Sequence, residues 1–102
     1  MPARPLKLVT IIVEALLEDR LLRDLRGIGV PGYTRSEVRG QGRRHIRDPF
    51  EGSNIKLEIL ASPDLAGRIA ALLEERYLPA YAIVARMTDV EALIAERYIV
   101  SP

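Results

Sequence analysis

Between Val38 and Asn54 the chain reads RGQGRRHIRDPFEGS, and no other stretch gathers so many groups able to do chemistry. Gly40 and Gly42 let backbone N–H groups converge on an anion without interference from a Cβ, and Arg43, Arg44 and Arg47 carry planar, two-pronged donors that fit phosphate or carboxylate oxygens. With Arg35 and Arg39 just ahead of them, these arginines make five of the 15 Lys and Arg residues. Cations held so close repel one another unless an anion lies among them. The composition therefore predicts a cradle for a nucleotide phosphate or a small carboxyl-type anion. Asp48 and Glu51 keep open a second reading, in which the arginines pair within the segment and the loop is simply solvated.

Other chemistries find less support. His45 is the single histidine and has no partners at metal-ligand spacing. The chain carries no P-loop pattern, no Ser-His-Asp set in a supporting context and no pair of carboxylates on one apolar wall. Stacking of nucleic-acid bases would need aromatics on an open sheet face, where Tyr33 and Tyr81 are the near candidates, so no nucleic-acid partner is expected.

The elements that must position this segment follow from periodicity. Lys7–Val13 is apolar at nearly every position and β-branched, as in a strand covered on both faces. Glu14–Gly29 shifts to helical spacing, with Leu17, Leu21, Leu25 and Ile28 on one stripe, Leu22 beside it, Glu18, Asp19, Arg20 and Arg23 outside, and glycines at its end. Gly32–Gly40 alternates, with Tyr33, Arg35, Glu37 and Arg39 on one side and Thr34, Ser36 and Val38 on the other. Asn54–Ala61 alternates again, burying Ile55, Leu57 and Ile59. Ser62 as N-cap, Pro63 at the first helical position and Asp64 in the first turn open a second helix, which Pro79 ends. Tyr81–Met87 predicts a fourth strand, and the Thr88–Glu91 capping box a short terminal helix.

The order β-α-β-loop-β-α-β predicts an α+β, ferredoxin-like sandwich: an antiparallel sheet with both helices on one face, in one domain spanning 1–102. Because the first strand is apolar on both sides, the second sheet face is expected to meet another subunit, with partial cover by the terminal helix as the alternative. A formal net charge of +1 gives no global field for a polyanion, and the absence of cysteine excludes disulfides and thiolate chemistry. The apolar run near the N-terminus is far short of the roughly 20 residues of a membrane span and lacks a cleavage signal, so the expected compartment is the cytoplasm.

Gly32, Tyr33 and Thr34, followed by Gly40, Gly42, Arg44 and Arg47 in the spacing G-x-G-x-R-x-x-R, with NIKLEI as the return strand, resemble the PII superfamily of signalling proteins. The similarity runs from Lys7 to about Leu93 and is strongest to the PII-like group associated with carboxysomes and bicarbonate transport. It implies a homotrimer whose clefts between subunits take an adenine nucleotide of the AMP, ADP or cyclic AMP class, with bicarbonate as a second candidate ligand and no covalently bound cofactor. It implies also that the segment at about 41–53 is the T-loop, through which a bicarbonate or other membrane transporter, or a carboxysome component, reads the ligand. On this resemblance Gly40 and Gly42 form the loop base, Arg43, Arg44 and Arg47 reach phosphate or bicarbonate, and Glu14, Asn54 and Arg86 lie near the cleft. The chain departs from the nitrogen-control members. Arg44 stands where they have glutamine, no tyrosine lies between Gln41 and Ser53, and YLPAYAI replaces a glycine-rich phosphate loop. The resemblance implies a regulator, not an enzyme; a small phosphate-ester hydrolase using the same arginines is the alternative, and a metal-tolerance trimer of the same fold is disfavoured because guanidinium groups repel cations.

Overall fold

The computed structural model describes residues 3–39 and 53–93. The elements are β1 (Arg4–Glu14), a 3-10 turn (Ala15–Leu17), α1 (Glu18–Gly27), β2 (Thr34–Val38), β3 (Asn54–Ala61), α2 (Pro63–Arg76) and β4 (Val84–Ala92). The four strands form one sheet in the order β2-β3-β1-β4, with antiparallel pairing throughout. This is the α+β, ferredoxin-like arrangement that the pattern predicts.

One face of the sheet packs on the helices. Val9, Ile11 and Val13 of β1 and Ile55, Leu57 and Ile59 of β3 are at most 1% exposed. They meet Leu21, Leu22 and Leu25 of α1 and Leu65, Ile69, Leu72 and Leu73 of α2 in a single core. Leu17 and Ile28, the ends of the predicted α1 stripe, lie partly buried against it. Burial of this branched aliphatic set is the main term favouring the fold.

Both helices are punctuated by local chemistry. Gly29 has φ 98°, and the N–H groups of Gly29 and Val30 bond to the carbonyls of Arg26 and Leu25 at 3.0 and 3.1 Å. That is a Schellman motif, and Val30 and Leu25 supply its apolar contact from within the core. At α2, Ser62 Oγ accepts from the N–H of Leu65 at 3.2 Å, with Pro63 in the first turn.

The fourth strand departs from the sequence reading. Thr88 opens no helix, because Thr88–Ala92 continue β4. β1 begins at Arg4 rather than Lys7, so its Arg4–Leu8 backbone is available to pair with Thr88–Ala92, and Lys7 Nζ donates to Asp89 Oδ1 at 2.5 Å across that extension. A run of ladder hydrogen bonds outweighs a cap worth about 1 kcal/mol. The start of β4 shifts as well: Tyr81 precedes the strand and packs against Tyr77, ring centroids 6.0 Å apart. The remainder of the predicted terminal helix, from residue 94, lies outside the described residues, as does the segment 40–52.

Candidate functional site at the end of the sheet

The strands β2 and β3 lead directly into and out of the basic segment, and their ends fix its mouth. Val38 pairs with Asn54, and Asn54 with Glu14, so Val38, Asn54 and Glu14 form the last cross-strand row of the sheet. Side chains opposite one another in antiparallel strands share a face, and this row lies on the face away from the helices. Glu14 and Asn54 are both half-buried, and exposed Arg39 follows Val38 toward the segment. The N–H of Ala15 donates to the carbonyl of Ser53 at 2.8 Å, tying the exit of the segment to the chain entering α1.

Of the site residues that the sequence suggests, Glu14 and Asn54 are brought together as direct partners. Arg86 shares their face but pairs with Thr10, two rows from Glu14, roughly 14 Å along the strand. Gly40, Gly42, Arg43, Arg44 and Arg47 lie outside the described residues.

Arg35, counted among the clustered cations by sequence, is already occupied. It sits on the helix-facing side of β2, where Nε and Nη2 donate to the two carboxylate oxygens of Glu18 at 2.5 and 3.0 Å, with Glu37 3.7 Å from Nη1. The hydrogen bond to Glu18 holds the Arg35 pKa above its ordinary value, so this guanidinium stays charged and spoken for. Glu18 reads in sequence as a solvent-facing helix residue, and nothing in its spacing points across 17 positions to Arg35.

A second polar group braces the helices. The phenol of fully buried Tyr77 donates to Asp24 Oδ2 at 2.6 Å, and Arg20 lies 5.3 and 5.6 Å from the ring centres of Tyr77 and Tyr81 while donating to the Tyr81 hydroxyl at 2.7 Å. Burial, reinforced by the bond to Asp24, pushes the Tyr77 pKa up to about 12. Outside it a groove of about 440 Å³ between α1 and α2 mixes Arg23, Arg68 and Arg76 with Asp24 and Glu75. Arg76 lies 3.8 Å from Asp24, so part of that charge is balanced locally.

A ferredoxin-like sandwich whose β2–β3 hairpin leads, at one end of the sheet, into a glycine- and arginine-rich segment defines a PII-like signalling protein. The profile of the family described as nitrogen regulatory protein P-II matches residues 6–97, and the chain belongs to that family. Among solved structures, a PII-like signalling protein from Thermus thermophilus is 42% identical over 96% of this chain and 99% of its own, with a TM-score of 0.81. CPII from Thiomonas intermedia K12, a nitrogen regulatory PII-like protein, is 21% identical over 91% of this chain and 98% of its own in the form bound to ADP, AMP and bicarbonate, with a TM-score of 0.79. In the form bound to ADP, AMP and acetate it is 20% identical over 97% and 99%, with a TM-score of 0.84. At that identity the likeness is one of fold. No curated protein sequence matches the chain.

Proposed function

We propose that this chain is a homotrimeric, non-enzymatic regulator of the cytoplasm that binds an adenine nucleotide of the AMP or ADP class, with bicarbonate as co-ligand, in clefts between subunits. The single domain of 1–102 presents a T-loop at about 41–53. Gly40 and Gly42 shape its base, Arg43, Arg44 and Arg47 take the phosphate or bicarbonate oxygens, and Glu14 and Asn54 line the edge of the cleft. The observation that carries this reading is the Glu14–Asn54–Val38 row, the last paired row of the sheet, from which the basic segment departs and to which it returns. ADP, AMP and bicarbonate bound to CPII give the ligand classes. Ligand charge neutralises the arginines and selects one arrangement of the loop, and a bicarbonate or other membrane transporter, or a carboxysome component, reads that arrangement. Among the described residues no helix is long and apolar enough to cross a membrane.

Calorimetric titration with AMP, ADP, ATP and cyclic AMP, each with and without bicarbonate, tests the proposal. One nucleotide bound per subunit is the expected result. Arg44→Ala and Arg47→Ala should each weaken binding by roughly 1.5–3 kcal/mol, the range for a hydrogen bond to a charged group. Unchanged affinity in both variants would move the phosphate site elsewhere.

A further inference from the structure

The sheet face away from the helices is neither uniformly apolar nor uniformly wet. Register places Leu6, Leu8, Thr10 and Ile12 of β1 on it, flanked by Lys56, Glu58 and Leu60 of β3 and by Val84, Arg86, Thr88 and Val90 of β4. Leu60 and Val84 are 39% and 56% exposed and Leu8, Ile12 and Val90 are half-buried, while Leu6 and Thr10 are already buried in the single chain, so the aliphatic surface that faces outward is the part around them. A polar row crosses it. Arg86 pairs with Thr10, Thr10 with Glu58, and Glu58 with Thr34, which puts a cation on one side of Thr10 and an anion on the other.

Arg86 and Glu58 stand two strands apart, roughly 10 Å at the usual strand spacing. Among the described residues neither has an ion-pair partner, and neither does Lys56, two residues from Glu58 on the same face; Arg86 is the cation across the sheet from Glu58, and Lys56 the one beside it. An aliphatic face whose central row carries unpaired charges of opposite sign, at separate places, is complementary to another copy of itself. In a cyclic assembly every subunit offers both halves of such a contact, one to each neighbour.

We infer that Arg86 of one subunit pairs with Glu58 of the next, and that this pair fixes how neighbouring sheets are set against one another in the assembly. The occupant of the face is a second copy of this chain. The aliphatic neighbours supply the area, and the charge pair supplies orientation, because a slipped or inverted packing would leave both charges in apolar contact without a partner. This inference rests on the homotrimer of the proposed function and assigns to Arg86 a role between subunits in place of one at the nucleotide.

Sedimentation of the full chain, as wild type, Glu58→Arg, Arg86→Glu and the double exchange, tests it. Both positions are at the surface of the isolated fold, so the variants are expected to keep their far-ultraviolet dichroism. The wild type should sediment as a trimer, each single reversal should weaken assembly roughly tenfold or more by setting like charges together, and the double exchange should recover most of the loss. Single reversals that assemble like the wild type, or a double exchange no better than either single, would overturn the pairing while leaving the trimer in place. A monomeric wild type would overturn the trimer and the pairing together. Should a reversal disturb folding, the milder Glu58→Gln and Arg86→Gln pair decides the same question: their effects on assembly must be non-additive if the two groups touch across subunits.

Discussion

Tyr77 shows how far one side chain can be read from its surroundings. In sequence it is the last member of the α2 stripe, and its burial in the core agrees with that. Its hydroxyl is another matter, because the acceptor is Asp24, 53 positions away, and no local pattern joins them. Tyr77→Phe removes a donor to a carboxylate and should lower unfolding stability by about 1.5–2 kcal/mol in a denaturant titration at neutral pH. The pH dependence is equally specific. The folded phenol titrates near 12 against 10.0 in its ordinary state, so its contribution is fully present below pH 10 and is lost as pH rises toward 12. Wild-type stability should fall relative to Tyr77→Phe across that window; parallel curves for the two proteins would mean that the phenol is not so held. Arg35 carries the same lesson for charge. Its type and neighbourhood place it in the basic cluster, but only the fold reveals that Glu18 has claimed it.

Among the elements, β3 and α2 are those whose code is local, and both are legible from sequence. Alternation gives Asn54–Ala61 to the residue, and Ser62-Pro63-Asp64 marks the start of α2 by hydrogen-bond and dihedral chemistry that acts within one turn. Ser62→Ala should therefore cost about 1 kcal/mol, and Gly29→Ala, which forces a Cβ into a φ of 98°, about 1–2 kcal/mol, both read from denaturation midpoints. A Gly29→Ala variant as stable as the parent would mean that the Schellman turn relaxes freely. The end of β4 is illegible for the opposite reason. Thr88 and Glu91 form a sound local cap, but the partner that overrides it is the first strand, and pairing with the far end of the chain leaves no mark on the local pattern. The site divides along the same line: glycines and arginines announce a binding segment by type, while the meeting of Glu14 with Asn54 depends on register across the sheet.

For the whole molecule, the proposed regulator makes a thermodynamic demand that needs no knowledge of the loop. If bicarbonate strengthens ADP binding by some factor, ADP must strengthen bicarbonate binding by the same factor. Calorimetry run in both orders should return equal factors, and unequal ones would mean that a further equilibrium, such as assembly, is coupled to binding. Nucleotide should also raise the melting temperature in step with the logarithm of its concentration above the dissociation constant.

The pairing of Val38 with Asn54, together with the Ala15–Ser53 bond, makes the two ends of the basic segment a fixed doorway in the sheet. Because that doorway is held by the sheet itself, the span between the ends is set without reference to what lies between them. Closing a chain across a fixed gap depends on length only logarithmically, about 0.6 kcal/mol for each doubling. The stretch can therefore be lengthened, shortened or rewritten almost independently of the scaffold, at a cost the sheet does not set, while the folding code of the frame stays the same.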